Sequence, residues 1–381
     1  MTMRPPTWAI WAGLLLAVTM CASASIVLSI LTNSWGVSSA LIVSWRLAWV
    51  ELLTAIPFLL TVRSQLHEHG VSNRLLRASS SAEISEVLLS VDEDETLAQR
   101  YWTALPLLAL SGVCLSFHFI AWVESLQRTS LAHSLLWVSM GPIILNAGSW
   151  LIFLIYPGGF TRPTGLETVG AVAGIAGCLI LLCDTTTSMA NDSNSTTTAT
   201  LAIEPSWQGD MIALGGAAAV SLYLVIGRYL RRWMPLWIYS FVVVGCAYIT
   251  SLGFAIVSTP DLTIGQIFGF LQTPYLLFAL YLGVGPGIAG HTLFNGLLKY
   301  VSPLLISTAM LAEPVVGSIM GYFFGMQDVP GLFTCLGGGV LLVGLFLVLA
   351  GENQRSQETT DSDADGEKLL LLPETMTHGT T

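Results

Sequence analysis

The chain has 381 residues, of which 53% are apolar and 10% charged, and it carries a formal net charge of −10. So little charge cannot cover the surface of a water-soluble globule of this length, and the absence of a basic patch excludes a nucleic-acid partner. Apolar runs of about 20 residues recur from end to end, the length that crosses a bilayer as a helix, so the composition predicts an all-α membrane protein.

Spans are predicted near 8–30, 36–62, 101–123, 131–155, 164–184, 207–229, 235–257, 274–297, 302–325 and 330–350. The first begins like a cleaved signal peptide, with WAIWAGLLLAVTM followed by ASAS. The apolar run continues past that site to Ile30, so we read it as a retained span; its Thr19, Ser23, Ser25 and Ser29 fit either a cavity lining or helix packing. The second span holds Arg46, a permanent charge in apolar sequence, with Glu51 nearby on a different helix face. Two readings stand: a pocket cation, or one half of a fixed interhelical ion pair. Residues 63–100 form an acidic, Ser-rich insert expected to be disordered except for a short helix near 82–90. Ser90 before VDED has the outline of a phosphosite, but a plain solvated loop is the preferred reading.

In the third span His118 and Trp122 share a face, and in the fourth His133 and Trp137 do; Pro142 marks a weakened helix. Glu124 and Arg128 fall near the end of the third span, where interfacial water reaches them. Gly170 and Gly174 in the fifth span read as close packing. The linker 185–206 contains two N-glycosylation sequons, at Asn191 and Asn194. Asp210 and Tyr223 in the sixth span are weaker candidates, and the seventh has no cation to match Arg46. The eighth carries His291, Asn295 and Lys299 on one face. The ninth carries Glu313 directly before Pro314, above a stripe of Gly317, Gly321 and Gly325. Here too two readings stand, a ligand site at an interrupted helix and close packing of a kinked one. The tail 351–381 is expected to be disordered. Within it Glu367, Leu371 and Leu372 form an acidic dileucine pattern of the kind read by sorting adaptors. All six cysteines lie in apolar segments and read as small core hydrophobes.

Charge sets the orientation. With the N-terminus in the cytosol, every Lys and Arg of the fourteen falls on the cytosolic side except Arg128, outside, and Arg46, within a span. That places the insert and tail in the cytosol and the sequon-bearing linker in the lumen or outside the cell.

The chain also repeats itself. At one offset Leu126, Ser130 and Pro142 fall on Leu298, Ser302 and Pro314; at nearly the same offset Gly170 and Gly177 fall on Gly337 and Gly344. Internal duplication in an apolar chain is the trace of a repeat-built transporter. The stretches VSWRLAWVELLTAIPFLL, GHTLFNGLLKYVSP and AEPVVGSIMGYFFG, in this order and spacing over about residues 8–350, resemble the EamA-type proteins of the drug/metabolite transporter superfamily. The resemblance implies ten transmembrane helices as two inverted five-helix repeats, here 1–184 and 207–350, and movement of small organic solutes without naming one. The long insert departs from the short loop of many members.

The expected function is therefore a secondary transporter of a neutral, zwitterionic or weakly cationic metabolite, working by alternating access and open to proton coupling. The alternative is a receptor, sensor or scaffold on the same fold. Binding or coupling candidates are Arg46, His118, Trp137, His291, Asn295 and Glu313, with Pro142 and Pro314 as helix breaks. For each histidine an interhelical hydrogen bond competes with a proton-carrying role. Sequence signatures of an enzyme, a metal cluster or a cofactor are absent. The expected partners are the solute, the bilayer and sorting adaptors, and the expected location is an endosomal, lysosomal or plasma membrane of a eukaryote.

Overall fold

The structure is a computed structural model and describes residues 5–31, 35–68, 81–125, 127–129, 131–156, 162–192, 206–259, 261–323 and 331–370. It is helical throughout, with no strand among the described residues. In chain order the helices are α1 (Thr7–Ser29), α2 (Ser39–Glu68), α3 (Ser81–Ser125), α4 (Leu131–Val138), α5 (Gly141–Ile155), α6 (Gly165–Asp192), α7 (Trp207–Arg231), α8 (Leu236–Ser258), the short α9 (Ile264–Ile267), α10 (Leu276–Leu282), a π-helix (Gly283–Thr292), α11 (Leu293–Leu297), α12 (Pro303–Met310), α13 (Glu313–Phe323) and α14 (Leu332–Leu370).

Among the described residues, eight stretches are long and apolar enough to cross a membrane: Thr7–Ala24, Ser39–Gln65, Gln99–Ser125, Ser134–Ile155, Trp207–Arg231, Leu236–Ser258, Leu276–Leu297 and Leu332–Glu358. Two shorter apolar stretches, Gly165–Ile180 and Pro303–Gly317, fall where the fifth and ninth spans were expected. The outside of the bundle is as apolar as its core. Leu52, Ile56, Leu59, Ile249, Val257, Leu342 and Phe346 are all exposed, a coat that only lipid can cover.

Three expectations change in the structure. The insert 63–100 is not a loop with one short helix: α2 runs on to Glu68, and the second part of the insert is the start of α3, which continues into the third span. The tail is helical to Leu370 rather than disordered from 351, and the linker begins later because α6 continues to Asp192. The physical reason is common to all three. A transmembrane helix supplies the costly nucleus, and polar residues then extend it at little cost per residue. In α14 the extension has a local support, a hydrogen bond from Gln354 Nε2 to Glu358 Oε1 at 3.0 Å, one helical turn on.

A close backbone approach joins α6 to α14. A Cβ added at Gly170 would lie 2.7 Å from the carbonyl of Gly344, and one at Gly177 would lie 2.6 Å from the carbonyl of Gly337. No side chain fits without a shift, so these glycines serve close helix packing, the reading given for Gly170 and Gly174 from sequence. Elsewhere α3 packs on α7 and α8, α2 on α8, and α1 on the π-helix. Phe58 stacks on Phe241 between α2 and α8, with ring centroids 4.2 Å apart.

Candidate functional site

The polar groups of the interior collect where α1, α2, α3, α7, the π-helix and α13 converge. Arg46 of α2 is at the centre and is 6% exposed. Its Nη2 donates to the carbonyl oxygen of Pro286 at 3.1 Å, and its guanidinium carbon lies 4.6 Å from the centroid of the Phe119 ring. That ring gives the cation an aromatic face, a favourable seat in a desolvated place. Only one N–H of the guanidinium is used; its other donors have no protein acceptor among the described residues.

The acceptor at Pro286 exists because of local sequence. Residues 283–290 read GVGPGIAG. Their glycines admit α1 and α2 at close range: Gly283 meets Trp49, Gly287 meets Val50 and Gly290 meets Cys21. Pro286 removes one N–H from the helical ladder, and the backbone relaxes into a π-helix, a widened form common at functional sites. The Sγ of Cys21 lies 4.0 Å from the Pro286 oxygen that Arg46 also meets.

Two of the apolar spans are broken helices, and the second of them reaches this centre. The fourth span stops at Val138 and restarts as α5 with Gly141 and Pro142; the ninth stops at Met310 and restarts as α13 with Glu313 and Pro314. Each proline lacks the N–H that would have served the carbonyl four residues back, Val138 or Met310. At the second break the Glu313 Oε1 is buried and accepts no hydrogen bond among the described residues. Glu313 lies within electrostatic reach of Arg46 and Cys21 but makes no direct ion pair with Arg46. The interior thus holds a cation with unused donors and a carboxylate with an unused acceptor, neither of which satisfies the other.

The remaining candidates divide. His118 sets its Nδ1 3.0 Å from the carbonyl oxygen of Gly216 on α7. A carbonyl only accepts, so Nδ1 carries the proton, and the interhelical hydrogen bond weighed from sequence is present. His291 packs edge-on against Phe119 with centroids 5.0 Å apart, which brings it beside Arg46. Asn295 is tied into the frame, because its Oδ1 accepts from the Tyr223 hydroxyl at 2.5 Å and its backbone oxygen from Arg231 Nε at 3.0 Å. Trp137 is half-buried on α4, and nothing joins it to the Arg46 group among the described residues. Glu51 is directed away, with its carboxylate against Gly245 of α8, so it is not the counter-charge of Arg46. Sequence reasoning missed Phe119 and the Pro286 carbonyl; the density of Gly and Pro in 283–290 was the available signal.

Among the peripheral candidates, Asn191 lies at the end of α6 and Glu367 lies within α14, while Asn194, Leu371 and Leu372 fall outside the described residues.

Comparison with known proteins gives three likenesses. Residues 207–350 match the model of the EamA-like transporter family. The "Uncharacterized transporter YwfM" of Bacillus subtilis (strain 168) is 25% identical over 279 residues, which cover 73% of this chain and 83% of that protein. A solved structure described only as "Crystal structure of protein" superposes with a TM-score of 0.57 at 15% identity, covering 91% of this chain and 99% of its own, a likeness of fold alone.

Proposed function

We propose that this chain is an EamA-type member of the drug/metabolite transporter superfamily, a secondary transporter that binds one small organic solute between Arg46 and Glu313 and carries it by alternating access. It is a multi-pass integral membrane protein. In this reading the two shorter apolar stretches complete ten spans in two inverted repeats, with both termini and the insert in the cytosol and the sequons on the other side. The matched breaks before Pro142 and Pro314 support that arrangement, since repeat-built transporters place their site at interrupted helices near mid-membrane.

The observation that carries the proposal is the unsatisfied pair. A buried carboxylate oxygen without a donor is costly in a low-dielectric interior, and Arg46 has donors beyond the one it gives to Pro286. A solute that offers an acceptor to Arg46 and a donor to Glu313 satisfies both at once. Phe119, His291 and Phe294 supply an apolar, partly aromatic wall for its body. That chemistry fits a neutral or zwitterionic metabolite. A nucleotide sugar or other polyphosphate calls for several Lys or Arg groups, and Arg46 is a single cation. Glu313 is also placed to exchange a proton when the solute leaves, which would couple flux to a proton gradient.

The test is flux in vesicles reconstituted with the purified protein, screened with zwitterionic and neutral metabolites against a nucleotide sugar. Saturable uptake of a zwitterionic or neutral solute that is lost in Arg46→Ala supports the reading. Tight binding of the nucleotide sugar, with no zwitterion bound, overturns the solute class.

A further inference from the structure

The arginines at the insert's end of the bundle fall into two groups. Some are taken up by the protein itself. Arg231 gives its Nε to the Asn295 carbonyl at 3.0 Å, Arg228 gives Nη1 to the Leu298 carbonyl at 2.5 Å, and Arg355 pairs with Glu167 at 2.9 Å. Arg63, Arg100 and Arg232 are not taken up. All three are exposed, and among the described residues none meets a carboxylate or donates a hydrogen bond. The chain has 24 acidic and 14 basic residues, so these three are not left over for want of carboxylates.

Three helix ends set their positions. Arg63 lies in the last turn of the Ser39–Gln65 span, Arg100 in the first turn of Gln99–Ser125, and Arg232 directly after Trp207–Arg231. Tyr101 joins the ends. Its hydroxyl donates to Gln65 Oε1 of α2 at 2.9 Å, and its ring lies 5.2 Å from that of Trp233, the residue after Arg232. The guanidinium carbon of Arg100 lies 4.3 Å from the centroid of the same Trp233 ring. That seat holds the cation in place and uses none of its N–H groups.

The surroundings say where a partner for those groups lies. Along α2 the exposed Leu52, Ile56 and Leu59 lead to Arg63 at spacings of four, three and four residues. Along α7 the exposed Leu222, Val225 and Tyr229 lead to Arg232 at three, four and three. Each stripe faces lipid, so each arginine stands where hydrocarbon gives way to headgroups. Trp102 is 73% exposed and heads a third such stripe, on α3, above Leu105 and Val113. An indole at that level belongs to the membrane interface. The acidic run from Asp92 to Glu95 precedes the α3 span and so lies on the water side of the headgroups.

We propose that this corner binds the headgroup of an anionic phospholipid. The lipid comes from the leaflet on the insert's side, the cytosolic one in the orientation given above. Arg100 meets the phosphate from its seat on Trp233, Arg63 and Arg232 flank it, and the acyl chains run down the apolar stripes. Guanidinium groups match phosphate oxygens in paired hydrogen bonds. A choline headgroup also has a phosphate, but it brings a cation of its own that three arginines repel. The bound lipid thus rests on the ends of α2 and α3, the helices that carry Arg46 and Phe119 to the interior.

The test is native mass spectrometry of the purified full-length protein in detergent, titrated with phosphatidylserine or phosphatidylcholine. The protein should keep a phosphatidylserine at concentrations where phosphatidylcholine is lost, and added salt should weaken that binding. Arg63→Gln, Arg100→Gln and Arg232→Gln should each weaken it by about five-fold, and the triple variant on the order of a hundred-fold. Arg128→Gln serves as the control, since Arg128 is already paired with Glu124 at 2.6 Å; it should bind as the unaltered protein does. The three positions are exposed, so the melting transition should not move; if the triple variant fails to fold, the single variants decide. Equal retention of the two lipids, or undiminished phosphatidylserine binding by Arg100→Gln, overturns the proposal. Competition by glycerophosphoserine, the headgroup without chains, at the same concentration assigns the corner to soluble phosphates and overturns it as a lipid site. Solute flux is not read, so a failure of the transporter reading leaves this test standing.

Discussion

The two broken helices occupy matched positions in the repeat, and their contents are opposite. The offset that lays Pro142 on Pro314 lays Gly141 on Glu313. At the first break Gly141 is buried, and a Cβ there would lie 2.5 Å from the Ser307 hydroxyl of α12. That break is closed by the Ser307 hydroxyl, with the Ser221 hydroxyl 3.6 Å away, so any added side chain must first displace the Ser307 contact. At the second, the corresponding residue extends a carboxylate whose Oε1 has no hydrogen-bond partner among the described residues. One break is closed by a packing contact, and the other leaves a buried carboxylate oxygen without a partner; in the proposed reading only the second serves the solute. A duplicated frame can therefore carry a single site.

Exchanging the contents of the two breaks gives the largest expected effect. Gly141→Glu forces a side chain into a filled contact and buries an unpaired charge, a loss of about 3–5 kcal/mol. We expect little folded protein, seen as low yield and no sharp melting transition. A stable, active Gly141→Glu protein would mean that the first break has the room we deny it.

Next comes Glu313→Gln. The amide keeps the volume and removes the proton-carrying group. Solute exchange should continue while gradient-driven uptake falls by about ten-fold or more, the scale of one lost charged hydrogen bond. The melting temperature should hold or rise, since the amide keeps the volume and can never be left as an unpaired buried charge. If exchange and net uptake both continue at normal rates, Glu313 is part of the frame and the two breaks are chemically alike after all.

Arg46→Lys tests the other partner of the open break. Lysine keeps the charge, but its point-like ammonium cannot hold the Pro286 carbonyl, face Phe119 and still present donors to the solute. Solute affinity should weaken by about ten-fold, with maximal exchange less affected. Unchanged affinity by direct binding would assign Arg46 to the frame.

Much of this contrast could be read from residues alone, because its elements are expensive in lipid. Arg46, Glu313 and the two prolines stand out in apolar sequence whatever surrounds them. Proline alone would not have sufficed: Pro57 and Pro106 lie inside α2 and α3, which run through them as single helices. Only the repeat register distinguishes Pro142 and Pro314. What could not be read was the acceptor for Arg46. It is a backbone carbonyl, which has no letter of its own, presented by a π-helix that no periodicity announces. The helical extension of the insert was hidden for another reason. Its acidic, Ser-rich composition argues for disorder in isolation, and the nucleus that orders it lies in the adjoining span.

The smallest expected effects come from the prolines themselves, and they sharpen the comparison most finely. Both sit within the first turn of the helix they begin, where an N–H is unpaired in any case and a fixed φ suits the helix start. Pro142→Ala should therefore change stability by less than about 1 kcal/mol and transport by less than about two-fold, because the filled contact at Gly141 holds the break open with or without the ring. Pro314→Ala has no such filling to preserve the break. The alanine N–H can serve the Met310 carbonyl, and α12 and α13 can join into one helix, which turns Glu313 away from Arg46. We expect unchanged or slightly raised thermal stability together with a loss of uptake of about three-fold or more, since a misaligned polar contact weakens steeply. The two alanine variants should thus part in transport while agreeing in stability. If they lose transport equally, both breaks open toward the solute, and the division of labour between the halves is not the one the residues at 141 and 313 imply.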